Sequence, residues 1–207
     1  MAIEQEIKLA LPSGLIDAAR RWLDARAGTP GRDITLSNLY FDTPDLALAR
    51  AKSAVRLRLA PQGWLQTYKT VGEAEHGLHR RHEWEMPVAR DQLEIDTLLA
   101  ACDVPAAATA LRTAAPTLIA LFRTDFSRTL WQLDTPLARI EAALDLGEIT
   151  AQVDGDTRRA PICEIELELL DGDTAALRAL AAELAAALPG LAPDNQSKAQ
   201  RGYQLRA

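Results

Sequence analysis

Cysteine is almost absent from this sequence: Cys102 and Cys163 are the two it has. That is too few for a disulfide framework and shows no zinc-site spacing, and it suits a reduced, cytoplasmic setting. Long apolar runs are missing too. No stretch approaches the roughly 20 apolar residues of a membrane-spanning helix. The first residues carry Glu4 and Glu6 rather than the apolar run of a secretory signal. Aromatic residues are few and scattered, three Phe, three Tyr and four Trp, so the chain shows no obvious platform for a nucleobase. Positive charge is in deficit, with a net charge of −6. Nucleic-acid binding normally shows as a basic excess, so nucleic acid is not the expected partner, although a local basic pocket for a small phosphorylated ligand is compatible. There is no Walker loop and no Ser or Cys paired with His, so a covalent route has no support. Repeats, linkers and low-complexity tracts are also lacking. A chain of 207 residues, 48% hydrophobic and 25% charged, therefore reads as one globular domain spanning 1–207.

Period-two alternation predicts a strand over 3–9, and further strands over 34–43, 54–60, 64–70, 80–88, 118–133, 137–153 and 158–170. Pro61-Gln62-Gly63, Asp134-Thr135-Pro136 and Asp154-Gly155-Asp156 mark turns between them. Helical spacing predicts helices over 13–27 and 174–188, a short turn over 46–52, and an Ala- and Leu-rich helical insertion over 91–115. Residues 71–77 read as a loop. The expected class is α+β, with about eight antiparallel strands and three or four helices.

The charges share one face of strand after strand. Glu4, Glu6 and Lys8 stand opposite Ile3, Ile7 and Leu9; Arg56 and Arg58 stand opposite Val55, Leu57 and Leu59. Thr67 and Lys69 share a face, as do Arg81, Glu83 and Glu85, then Glu141 and Asp145, then Glu164, Glu166 and Glu168. An ordinary solvated sheet face explains any single strand of this kind. It explains six strands poorly, because like charges about 5 Å apart repel by a few kcal/mol at an effective dielectric near 20. A membrane barrel is also apolar outside and polar within, but aromatic girdles are missing and amphipathic helices are available to cover the apolar face. The pattern predicts an eight-stranded β-barrel tunnel with a charged interior, wrapped by helices. Acids would hold a divalent metal, and bases a polyanion.

In order along the chain, Glu4-x-Glu6-x-Lys8, LYFDTPD, VRLRL, TYK, HEWE, ALDLGEI, CEIELELLDGD and SKAQRGY resemble the CYTH superfamily, the triphosphate tunnel metalloenzymes. The likeness covers nearly the whole chain and is greatest to bacterial inorganic triphosphatases, whose CYTH domain is often followed by a helical CHAD domain. No CHAD domain is visible here. The resemblance implies an eight-stranded antiparallel tunnel that hydrolyses triphosphates with Mg²⁺ or Mn²⁺. Thiamine- and nucleoside-triphosphatases and class IV adenylyl cyclases share that fold, and a non-catalytic polyphosphate- or nucleotide-binding module is a further alternative.

Pattern and resemblance together assign the residues. Glu4, Glu6, Glu164 and Glu166 are expected to ligate the metal, with Asp145 at a second metal or its waters. Glu168 continues the alternation without an assigned role. Arg56, Arg58, Lys69, Arg128 and Lys198 are expected on phosphate oxygens. Arg201 is expected beside Lys198, or else as a surface or capping arginine. Glu83 and Glu85 are either metal-side ligands or, as preferred, partners of neighbouring arginines. Arg123 and Arg128 lie five apart, on opposite strand faces, where the family often has a basic pair spaced by one; Arg128 is preferred and Arg123 is the alternate. His76, His79 and His82 read as surface loop histidines. Lys8 and Glu6 are the expected catalytic residues, with Lys8 keeping its proton and orienting water or stabilising the leaving oxygen. The expected partner is a small-molecule triphosphate, bound by a monomer or weak dimer with no membrane or nucleic-acid association.

Overall fold

The structure, a computed structural model, describes residues 3–206. The chain opens with β1 (Ile3–Ala10), α1 (Ile16–Ala27), β2 (Arg32–Asp42) and α2 (Ala47–Arg50). It continues through β3 (Ser53–Ala60), β4 (Gly63–Thr70), β5 (Glu73–Glu75), β6 (Leu78–Pro87), α3 (Ile95–Ala101) and α4 (Pro105–Ala114). The long strands β7 (Ile119–Thr135), β8 (Ala138–Val153) and β9 (Asp156–Gly172) follow, then α5 (Thr174–Ala187), β10 (Ala192–Pro193) and α6 (Lys198–Gln204).

All pairings between these strands are antiparallel. The order runs β1-β9-β8-β7-β2-β3-β4-β6, and β6 pairs back onto β1. Eight strands therefore close a barrel, the expected α+β tunnel, while β10 and β5 add short edges. Closure leaves no long edge open and separates an inside face from an outside face.

The outward face is apolar and is covered by helices. α1 and α5 bring Leu23, Leu177, Leu180 and Leu184 onto Ile7, Leu9, Leu144, Ile165 and Leu167. α2, α3 and α4 bring Leu48, Leu98 and Leu111 onto Val55 and Tyr68. Each fully buried Leu contributes about 1.5–3 kcal/mol, so these two layers hold the helices against the barrel. A third cluster has a different place. Phe122, Phe126, Ile149 and Ile162 stand on the same strand faces as Arg128, Asp145 and Glu164, so they fill the barrel interior beyond the charges.

Two segments depart from the expected pattern. Within 71–77, read as a loop, Glu73–Glu75 forms β5 against β6. The terminal NQSKAQRGY stretch carries α6, whose start is a capping box: Ser197 accepts from Gln200 N, and the Gln200 side chain accepts from Ser197 N.

Candidate active site

The inward faces of β1, β3, β4, β6 and β9 line a cavity of about 1010 Å³, closed on one side by α6. The charges that line it, with the buried charges directly behind them, form three groups.

On the first, β1 faces β6. Arg81 bonds both acids of β1: its Nε donates to Glu4 at 2.6 Å and Nη2 to Glu6 at 2.5 Å. Lys69 joins Glu4 at 3.2 Å and Glu83 at 2.5 Å. Burial alone would raise the pKa of Glu4, but Lys69 and Arg81 hold it well below the usual carboxylate range. Burial, together with the nearby Glu4, pushes Glu83 up to about 7 despite Lys69. Glu168 is likewise pushed up to about 7, first by burial and then by Glu4.

On the second, Glu85 accepts from Thr67 Oγ1 at 2.7 Å and from Arg56 at 3.4 Å, with Arg58 at 3.8 Å. Arg58 also donates to Asn38 Oδ1 at 2.7 Å. Burial would raise Glu85, yet Arg56 and Arg58 bring it down to about 2. Burial and the Arg56 charge lower Arg58 to about 10, which leaves it cationic at neutral pH. Glu83 and Glu85 thus stand as partners of Lys69 and the arginines.

The third group lies between β7, β8, β9 and α6. Arg128 grips Asp145 through Nε and Nη2, both at 2.7 Å, and also bonds Glu166. Lys198 Nζ stands 2.6 Å from Asp145, 2.5 Å from Glu164 and 2.8 Å from Glu166. Burial opposes the Lys198 charge, but these three acids raise its pKa above the ordinary lysine value. Lys8 is 1% exposed; its ammonium lies 3.1 Å from Glu164 and donates to Gln196 O at 2.5 Å. Arg201 reaches Glu164 at 3.1 Å and the Pro161 carbonyl.

The five acids expected at metal divide accordingly. Asp145, Glu164 and Glu166 offer oxygens within 4.8 Å of one another, whereas Glu4 and Glu6 sit with Arg81. Strand register is the cause: Glu6 pairs with Glu168, Lys8 with Glu166 and Ala10 with Glu164. Glu168 is therefore the β9 acid beside Glu6. The three grouped carboxylates form a hard, all-oxygen donor set, which fits a hard divalent cation. Arg128 faces the cavity, while Arg123 lies outside it, half exposed and paired with Asp125 at 2.6 Å. The histidine reading needs correcting. His79 is buried on β6, with Nε2 3.0 Å from Asp194 O, and His82 also lies on β6, stacked on Trp84; only His76 is in the loop. Arg81 was legible as part of an alternating face, but its bond to both β1 acids depends on β1 pairing with β6, seventy-odd residues away. The Lys8–Gln196 contact left no local signal.

An antiparallel eight-stranded tunnel whose lumen interleaves carboxylates with Lys and Arg defines a class of charge-lined β-barrel. Residues 2–203 match the CYTH domain, and the chain belongs to that family. It is 32% identical over 212 residues to an inorganic triphosphatase of Haemophilus influenzae, covering 99% of this chain and 55% of that protein. The chain thus spans little more than half the length of that relative. Among solved structures, a putative adenylyl cyclase from Hippeastrum, described as having a dominant triphosphatase activity, superposes with a TM-score of 0.68 at 19% identity over 99% of this chain and 97% of that one. A putative adenylate cyclase from Bacillus halodurans gives 0.57 at 17% identity, covering 96% of each chain. Among the described residues no helix is long and apolar enough to cross a membrane.

Proposed function

We propose that this protein hydrolyses inorganic triphosphate to pyrophosphate and phosphate, dependent on Mg²⁺ or Mn²⁺, with the 207 residues acting as one tunnel domain. The observation that carries the reading is a three-carboxylate group, Asp145, Glu164 and Glu166, whose Glu166 lines the same cavity as Arg56, Arg58, Lys69, Arg128 and Lys198 and whose other two acids are buried behind Lys198. The similarity to an inorganic triphosphatase supports it.

Tripolyphosphate carries four to five negative charges, and those five side chains supply about five positive ones. Arg56 and Arg58 bind phosphate oxygens through their planar guanidinium forks, and Lys69 binds as a point charge. Arg128 and Lys198 reach the phosphate nearest the carboxylate group, with Arg201 behind them. A bound divalent cation would polarise phosphoryl oxygens and offset their charge; Asp145, Glu164 and Glu166 would hold it, and Glu4 and Glu6 would hold a cation or its waters on the β1 side. Water attacks the terminal phosphorus, a new P–O bond forms, the bridging P–O bond breaks, and pyrophosphate leaves with the electron pair. Lys8, fixed beside Glu164, stabilises the developing negative charge; Glu6 orients the attacking water.

An organic triphosphate is the second reading, because Tyr40 and Tyr203 line the same cavity. Both rings are already packed on Phe122, at centroid distances of 4.7 and 5.2 Å, which favours the inorganic substrate. Phosphate release from tripolyphosphate, ATP, thiamine triphosphate and pyrophosphate under saturating Mg²⁺ or Mn²⁺ decides. Tripolyphosphate should exceed ATP in kcat/KM by about tenfold or more, a difference of roughly 1.4 kcal/mol in transition-state binding, with pyrophosphate nearly inert. A preference for ATP or thiamine triphosphate sinks the proposal.

A further inference from the structure

Lys198 stands where the three carboxylates converge. Its Nζ lies 2.6, 2.5 and 2.8 Å from Asp145, Glu164 and Glu166, and the oxygens of those acids are within 4.8 Å of one another. A hard divalent cation takes carboxylate oxygens at about 2.0–2.6 Å. The ammonium and such a cation therefore contend for one point, and at that spacing they repel strongly.

Lys198 is not a loose side chain. It is the first residue of α6, set by the Ser197–Gln200 capping box. One turn on, Arg201 bonds Glu164 at 3.1 Å, and Gly202 lies so close to Phe122 that a Cβ would run into the ring. The segment before the helix is tied to the barrel, with Gly77 N donating to Asn195 Oδ1 at 2.8 Å and Lys8 donating to Gln196 O at 2.5 Å. Seating α6 therefore places an ammonium among the three acids. The same side chain lines the cavity shared by Arg56 and Lys69, so a phosphate oxygen entering from that side offers it an alternative anion.

We propose that Lys198 makes the divalent cation and the polyphosphate load together. The cation gains the three carboxylates only when phosphate has drawn the Lys198 ammonium away from them. This rests on the triphosphate reading and adds an order of events to it. Free metal then binds weakly, metal binding strengthens when polyphosphate is present, and by linkage polyphosphate binding strengthens by the same factor when metal is present.

The test measures Mn²⁺ affinity by calorimetry, without turnover, with and without an imido-bridged, non-hydrolysable triphosphate. In wild-type protein the analogue should tighten Mn²⁺ binding by about tenfold or more. Lys198→Met should bind Mn²⁺ about tenfold more tightly than wild type when no analogue is present, and should lose most of the analogue's effect. Gly202→Val, which unseats α6 against Phe122 and removes no charged side chain, should raise metal-only affinity in the same direction and decides the matter if Lys198→Met does not fold. Equal metal-only affinity in wild type and the folded variants, with the analogue still bound by wild-type protein, overturns the proposal and leaves the triphosphate reading standing. Failure of wild-type protein to bind the analogue at all overturns both.

Discussion

At the scale of single residues, the tunnel pairs most of its acids with Lys or Arg but leaves some crowded against other acids. Glu168 has no ion pair among those described, and burial with Glu4 and Glu6 nearby lifts it to about 7 from an ordinary 4.5. Glu83 moves the same way. A raised carboxylate pKa means that the folded state binds more protons than the unfolded one between about pH 4.5 and 7, so stability falls as pH rises through that window. Glu85, held near 2, stays ionised in folded and unfolded chains above about pH 5 and adds no slope there. Metal-chelated protein should therefore melt at a higher temperature at about pH 5.5 than at about pH 7.5, and Glu168→Gln should flatten that difference. Thermal scans across the window check it; a melting temperature that climbs with pH in the wild type contradicts it. Most of these residues were legible from alternation alone, because a strand sends every second side chain to one face. Their partners were not. Arg81 meets Glu4 and Glu6 across a β1–β6 pairing, and no local pattern encodes a contact between segments so far apart in sequence.

At the scale of elements, the strands and the long helices follow from periodicity, while the short pieces do not. α1 and α5 have an apolar stripe and a barrel face to cover, which twelve and fourteen residues are long enough to show. α6 has seven residues and no stripe; its one local mark is the Ser-x-x-Gln of the capping box, and its position comes from Lys198, Arg201 and Gly202 meeting the barrel. β5 and β10 exist because their neighbours present free edges, so the residues themselves carry little strand preference. The division between outer helices and inner charges has a measurable consequence. Leu184 of α5 is fully buried against the outside of the barrel. Leu184→Ala should cost about 2–5 kcal/mol of stability, read by denaturant titration, while KM for tripolyphosphate stays within about twofold. A large KM change at unchanged stability would mean that α5 shapes the lumen.

At the scale of the whole molecule, closure of eight strands turns a charged sheet face into a cavity. Like charges that would separate in water are held together there, so ligands of both signs should stabilise the fold. Tripolyphosphate analogue and Mg²⁺ added together should raise the melting temperature by more than the sum of their separate effects, with the complex contributing about 2.7 kcal/mol at a hundredfold excess over Kd. Additive shifts would indicate independent sites. The sequence by itself determined the eight barrel strands, the segregation of charge to one face and the apolar stripes that cover the other, because each is a property of spacing within a few residues. Family membership was legible for the same reason, since it rests on short motifs in a fixed order. Tertiary structure alone decided which acids share a point in space. Register places Glu168, not Glu164, beside Glu6, groups Asp145 with Glu164 and Glu166, and lets a lysine from the far end of the chain sit among them. Those distances depend on how strands slide past one another and on where a short helix docks, and both are settled by packing over the whole barrel.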